Sequence, residues 1–338
     1  MKAAVLVGPK KFEVKDVPKP EISDDEVLLK VRACGVCGSD LGICKHGPYF
    51  AEEQILGHEF VGEIVEVGKN VKGWNLGARV VVDPYIHCFK CPNCKSHNYN
   101  LCDIYSVTGV TVNGAYAEYV KVHPYQMIPL PESMSDEVGT LFQPIACALH
   151  AVRLGTIHLN DTVVVVGAGV IGLFSMIWAR LYGAGKIVAV EIADTRLREA
   201  SSKGLADIVI NPLHEDATTR IKEITGDLGA PVVIECSGSP LAQRQAIDYV
   251  RKGGTIVVYG TAHGPTEANW MLITTKEITI KGGLSAGPPG SYEFSIKAWE
   301  DGLLETGKID IVGTSIEKVT EVFEESIKGN IVKAVFRF

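Results

Sequence analysis

From Thr162 onward the chain alternates short apolar runs with runs of helical length, and the first alternation carries a glycine pattern that few folds accept. Val163–Val166 is a continuous apolar strand. Gly167-Ala-Gly169-Val170-Ile171-Gly172 follows directly, and Val170–Leu181 has the length of a helix before Gly183 stops it. Further strands are expected at Lys186–Glu191, Ile208–Ile210, Val232–Glu235, Thr255–Tyr259 and Glu277–Ile280, with helices at Thr195–Lys203, Ala217–Thr225 and Leu241–Val250. A strand buried on both faces reads as an unbroken apolar run, and alternation with helices builds a parallel sheet covered on both sides. The fold class is therefore α/β, with a doubly wound, Rossmann-type parallel sheet in this region.

In that context, with a strand before it and a helix after it, G-x-G-x-x-G is a dinucleotide signature. Gly167 permits the tight turn, Gly169 lets a pyrophosphate approach the backbone, and Gly172 lets helix and strand pack closely. Val170 and Ile171 open the helix whose free N–H groups and positive dipole end face the phosphates. Glu191 closes the next strand about 20 residues on, where an acid accepts hydrogen bonds from the adenosine ribose. Its charge would repel a 2′-phosphate, which favours NAD over NADP. Arg196, close by, could accommodate that phosphate and is the opposing signal.

The first ~140 residues read differently: Val27–Ala33, Phe60–Val67 and Ala78–Val82 are short β-branched runs bounded by turn residues. The tail returns to helices at Glu293–Leu304 and Val319–Lys328 and a strand at Ile331–Phe338. Inside the β-rich part stand Cys88, Cys91, Cys94 and Cys102, spaced C-x2-C-x2-C-x7-C. Four thiolates at tetrahedral corners suit Zn²⁺ and leave no open position, so the site is expected to be structural. Disulfides are the competing reading. They are disfavoured because the N-terminal MKAAVLVGPKKFEV reads as strand and turn and not as a secretion signal. An iron–sulfur cluster would call for a C-x3-C-P ending. Cys34, Cys44, Cys147 and Cys236 are expected as small buried apolar residues.

A chain of 338 residues makes about two domains. A net charge of −7 argues against nucleic acid or an anionic membrane as partner. The longest apolar run, Val163–Leu173, is interrupted by three glycines, which excludes a membrane span of the roughly 20 residues needed. A cytoplasmic protein acting on a small molecule is expected.

Upstream lie Cys37-Gly-Ser39-Asp40 and Gly57-His58-Glu59. Thiolate, imidazole and carboxylate are all zinc ligands, and the order strand–loop–loop–strand could bring them together. Each alone reads better as a core cysteine, a hydrogen-bonded histidine or a solvated glutamate.

Taken together, CGVCGSD, GHEFVGEIVEVG, the four-cysteine lobe, NGAYAEYV, VVVVGAGVIGL and TIVVYG resemble the zinc-dependent medium-chain dehydrogenase/reductase family over essentially the whole chain. The chain is most similar to the polyol branch, with its sorbitol, butanediol and threonine dehydrogenases. The resemblance implies a GroES-like β-barrel catalytic domain from residues 1–144 and 285–338, with a zinc lobe at about 86–104. An NAD-binding domain spans 145–284, the site lies in a cleft, and dimers or tetramers are usual. It implies two Zn²⁺ per chain, one catalytic and one structural, and hydride transfer from a secondary alcohol to NAD. Cys37 and His58 match the catalytic zinc ligands, and Glu59 matches a direct ligand of polyol-type members. Asp40 matches a carboxylate orienting the histidine, and Ser39 the hydroxyl that takes the substrate proton.

Three positions depart from the pattern. Gln143 stands where relatives carry a cysteine or glutamate ligand. As a neutral amide it could ligate weakly, hold a water on the metal, or touch substrate. Gly42 stands where many relatives have a proton-passing histidine, with His46 as a possible substitute. Leu284-Ser285-Ala286 replaces the aromatic–Arg–Tyr run of sorbitol dehydrogenases. Ser39, Tyr49, Gln143, Trp270 and Ser285 are candidate pocket residues. Two other activities stay open: a threonine-type amino-alcohol dehydrogenase and a nucleotide-binding protein without catalysis.

Overall fold

The structure, a computed structural model, describes residues 1–48, 51–262 and 264–338. Along the chain run β1 (Lys2–Gly8), β2 (Lys11–Asp16), β3 (Val27–Gly35), α1 (Gly38–His46), β4 (Gln54–Ile55), β5 (Glu59–Val67), β6 (Arg79–Val82) and β7 (Tyr85–Ile86). Then come α2 (Pro92–Lys95), β8 (Ser106–Val107), β9 (Tyr119–Val122), β10 (Met127–Pro129), α3 (Asp136–Thr140) and α4 (Phe142–Gly155). The alternating region holds β11 (Thr162–Val166), α5 (Val170–Leu181), β12 (Lys186–Val190), α6 (Asp194–Ser202), β13 (Ile208–Ile210), α7 (Ala217–Ile224), β14 (Ala230–Glu235) and α8 (Pro240–Tyr249). It continues with β15 (Val250–Val258), α9 (Trp270–Lys276) and β16 (Thr279–Gly282), and the tail carries α10 (Ser291–Glu300), β17 (Ile311–Ser315), α11 (Val319–Ile327) and β18 (Lys333–Arg337).

Contacts divide the chain into two compact units. One comprises 1–143, 288–296 and 309–338; the other comprises 144–287 and 297–308. In the first, β10-β6-β5-β3-β18-β17 form a sheet that β9 joins through β3, and β2-β1-β4 form a smaller one. Val27, Leu29 and Val31 of β3, Phe60 and Ile64 of β5 and Phe323 of α11 belong to one buried core. Strand β18, from the end of the chain, pairs antiparallel with β3, setting Val335 opposite Gly35.

In the second unit the order is β13-β12-β11-β14-β15-β16, with every neighbouring pair parallel. The order reverses between β11 and β14, which is where sheets of this kind bind ligands, beyond the carboxyl ends of the strands. Val164, Val188, Ile210, Val233 and Ile256 pack in its core.

The expected elements are present with shifted ends, and local backbone explains two of the shifts. Glu277 caps α9 in the left-handed region (φ 53°), so the next strand starts at Thr279. Helix α10 ends at Glu300, and Gly302 (φ 72°) turns the chain away. Helix α9 itself has no counterpart in the sequence reading: it is short and none of its residues is fully buried, with Leu272 and Ile273 only partly covered against the core. Among the described residues no helix is long and apolar enough to cross a membrane.

Candidate metal and nucleotide sites

The antiparallel pairing of β3 and β5 sets Gly35 opposite Glu59, which brings the Cys37 segment beside the His58–Glu59 segment. Cys37 then serves as N-cap of α1. Gly57 adopts φ 98°, and a side chain there would meet Cys34 Sγ at 2.9 Å, so glycine alone lets this loop lie against β3. Cys37, His58 and Glu59 offer ligand atoms within 4.8 Å of one another. Both His58 and Glu59 are buried.

Around this trio the imidazole is held from two sides. Ser39 Oγ lies 3.4 Å from His58 Nε2, while Asp40 Oδ1 lies 3.3 Å from Nδ1 without hydrogen-bond alignment. Asp40 is wholly buried; its Oδ2 accepts the Cys37 N–H at 3.0 Å and the Tyr116 hydroxyl at 2.8 Å. Burial alone would lower the His58 imidazole, but the Asp40 carboxylate and the Cys37 thiolate outweigh it and push it up to about 10. Burial raises the Cys37 thiol, but His58 outweighs it and the net direction is down. His58 thus favours the charged form of Cys37, and Asp40 and Cys37 favour a second proton on His58. A Zn²⁺ would displace that proton, and Asp40 Oδ1, 3.3 Å from Nδ1 and without an aligned partner, is the acceptor open to the remaining N–H. The donor set and this vacant acceptor fit zinc.

Two contributors escaped the sequence reading. Lys333, at the start of β18, is buried; its ammonium contacts Glu59 Oε2 and donates to Val36 O at 3.3 Å. Burial draws its pKa down to about 8, against the opposing pull of Cys37, Cys34 and Asp40. Tyr116, also buried, anchors Asp40. A signal for Lys333 exists: a lone charge inside the apolar IVKAVF run.

Cys88, Cys91, Cys94 and Cys102 also converge within 4.8 Å. All are free thiols, and Cys88 Sγ stands 3.9 Å from Cys94 Sγ, far beyond a disulfide bond. Backbone N–H groups point at the sulfurs: Cys91 N to Cys88 Sγ, Cys94 N to Cys91 Sγ and Cys88 N to Cys102 Sγ, each 3.4 Å. Such donors favour thiolates, and those of Lys90 and Cys91 draw the Cys88 thiol down to about 6. The left-handed Phe89 (φ 53°) and His97 (φ 61°) make the tight turns between ligands. This set also fits a tetrahedral zinc.

In the second unit, Gly167 (φ 93°) turns the chain after β11, and Gly169 is the N-cap of α5 with no side chain capping it. A side chain at Gly172 would collide with Gly167 O, whereas one at Gly169 would meet open space. The turn therefore packs tightly underneath and stays clear above, where helix N–H groups from Val170 and Ile171 are available. Glu191 follows β12 and is buried. Its Oε2 accepts Ala168 N at 2.8 Å, and its Oε1 accepts Ile192 N at 2.8 Å and Ala193 N at 3.0 Å. A carboxylate has about four acceptor sites, so roughly one remains for a hydroxyl. Arg196 Nη1 lies 3.8 Å from Glu191 Oε2. The cradle fits a dinucleotide.

The remaining candidates stand on other elements. Gln143 is buried in the first turn of α4, and Ser285 is buried in a left-handed conformation (φ 63°). Trp270 is 73% exposed at the start of α9. Gly42 and His46 lie in α1, and Tyr49 lies outside the described residues.

Residues 23–132 match the family described as alcohol dehydrogenase GroES-like domain, and residues 170–300 match that of zinc-binding dehydrogenase. Sorbitol dehydrogenase of Bacillus subtilis is 33% identical over 97% of this chain and 94% of its own. L-threonine 3-dehydrogenase of Caldanaerobacter subterraneus is 35% identical over 87% and 83%. Among solved structures, a zinc-binding dehydrogenase of Sinorhizobium meliloti bound to NADP matches at a TM-score of 0.90 and 31% identity, covering 100% of this chain and 99% of that one.

Proposed function

The chain belongs to the zinc-dependent medium-chain dehydrogenase family, in its polyol branch, and we propose that it oxidises a secondary alcohol of a polyol, cyclitol or sugar alcohol to the ketone with NAD as acceptor. The observation that carries this is the convergence of Cys37, His58 and Glu59 with the Ser39 hydroxyl at 3.4 Å from His58 Nε2. Zinc held by those three residues would supply Lewis acidity to the substrate oxygen, and the nicotinamide ring would accept the hydride.

The chain's own residues do the rest. Ser39 accepts the hydroxyl proton as it releases its own, the first step of a relay to solvent. Asp40, fixed by Cys37 N and Tyr116, orients the imidazole, and Lys333 balances the Glu59 charge. Gln143, buried at the start of α4, would ligate weakly, hold a water on the metal, or touch substrate. Gly167–Gly172 receive the pyrophosphate, and Glu191 offers its remaining acceptor site to the ribose. A carboxylate there repels a 2′-phosphate, which supports NAD. The NADP-bound relative and the nearby Arg196 are the arguments for the other cofactor.

The same reading assigns the catalytic role to 1–144 and 285–338 and cofactor binding to 145–284. It places a second, structural zinc on Cys88, Cys91, Cys94 and Cys102, and expects a cytoplasmic homodimer or homotetramer. Threonine is the competing substrate, supported by the threonine dehydrogenase relative. A threonine site must satisfy both a carboxylate and an ammonium, and the sequence offers no clear pair of partners for them.

NADH formation across polyols, cyclitols, diols and threonine, before and after metal stripping, tests the proposal. Zinc-dependent turnover of a polyol or cyclitol is expected. Turnover confined to threonine, or turnover that survives stripping, overturns it.

A further inference from the structure

The acid at the end of β14 has no part in the chemistry above. Glu235 is the last residue of that strand and is wholly buried. It pairs with Val166, the residue before the glycine turn, and with Val258 on β15. The sheet order puts it at the reversal between β11 and β14.

Its Oε1 accepts Ser237 N at 2.7 Å, Gly238 N at 3.0 Å and the Ser237 hydroxyl. Its Oε2 accepts the Gln243 side-chain amide at 3.4 Å. The same amide nitrogen donates to Gly260 O at 2.9 Å, and Thr266 Oγ1 donates to Gln243 Oε1 at 2.8 Å. One carboxylate thereby joins the loop after β14, the first turn of α8 and the loop after β15. These loops press on the glycine turn: a side chain at Gly167 would sit 2.8 Å from Ser237 N, and one at Gly260 would sit 2.8 Å from Glu235 Oε2.

A buried carboxylate is costly to desolvate unless it is fully hydrogen-bonded. Bonds to a charge are roughly twice as strong as neutral ones, so the return is a rigid rim. The sheet has two mononucleotide-binding halves. The β11–β13 half carries the glycine turn and Glu191, which leaves the β14–β16 half for the second mononucleotide.

We propose that Glu235 is a positioning residue for the nicotinamide-ribose half of the cofactor, holding the loops after β14 and β15 in the shape on which that half rests. The proposal rests on the dinucleotide reading given above. It is tested by titrating NADH and AMP separately into the wild-type chain, Glu235→Gln and Ser237→Ala, with the melting temperature of each free protein recorded.

Glu235→Gln should raise the NADH Kd about tenfold, or about 1.4 kcal/mol, with the AMP Kd unchanged within about twofold. Ser237→Ala removes one bond to the carboxylate and should raise the NADH Kd about threefold, again sparing AMP. It carries the test if Glu235→Gln does not fold. Equal loss of NADH and AMP, or loss of neither, refutes the assignment. A wild-type chain that binds neither ligand sinks the cofactor reading itself, whereas a wild type that binds both beside unaltered variants sinks only the role of Glu235.

Discussion

Replacing Lys333 by methionine isolates the charge that faces Glu59. Methionine keeps nearly the same volume and flexibility, so no large cavity opens. The side chains of Lys333 and Glu59 are 0% and 2% exposed, so the change leaves a buried carboxylate without its partner. Breaking one side of such a pair costs about 3–5 kcal/mol. At about 2–4 °C per kcal/mol for a domain of this size, the metal-free protein should melt on the order of 10 °C lower. Zinc on Glu59 would supply the missing positive charge, so the loss in the loaded protein should be smaller. By linkage, zinc must then bind the variant more tightly, tenfold for each ~1.4 kcal/mol of difference. Differential scanning calorimetry with and without zinc, together with a chelator competition, reads both quantities. Equal destabilisation with and without zinc would show that Glu59 does not turn from the lysine to a metal. A loss below ~1 kcal/mol would show that the carboxylate was never left uncompensated.

Further outcomes are expected at four positions. Cys37→Ala should abolish turnover while NADH fluorescence titration shows unchanged binding; residual activity near wild type would refute a zinc ligand there. Cys94→Ser should lower the zinc content by one ion per chain, by elemental analysis, and lower the melting temperature without changing NADH affinity. Glu191→Ala should weaken NADH and narrow the preference over NADPH, read as the ratio of the two kcat/KM values. Asp83 tests pH dependence. Burial, with the Glu293 charge, raises its carboxyl to about 6 although its Oδ1 accepts the Tyr85 N–H at 3.1 Å. A raised acid contributes stability below its ordinary pKa of about 3.9 and loses it as pH climbs through the folded value. Asp83→Asn should therefore be more stable than wild type at pH 8 and gain nothing at pH 3.5 or below in urea midpoints; a gain that does not depend on pH contradicts the assignment.

Local chemistry made part of this protein readable in advance. Val163–Gly172 places strand, turn and helix within ten consecutive residues, and its requirements are steric: no side chain fits under the turn at Gly172. The four-cysteine run likewise carries its ligands within Cys88–Cys102, where short loops alone bring sulfurs together. Helix ends were less legible because single left-handed residues such as Glu277 decide them. Tertiary structure decided what surrounds the ligands. Tyr116 reaches Asp40 across 76 positions, and Lys333 reaches Glu59 across 274, because the last strand of the chain adds beside β3. Glu235 looks from its sequence like a charge at a strand end; Ser237 and Gly238 supply donors locally, and the return of α8 adds Gln243 while β15 pairs alongside. Contacts that close over such separations follow no local periodicity, since each partner's neighbours are set by its own strand and the pairing by how the strands assemble.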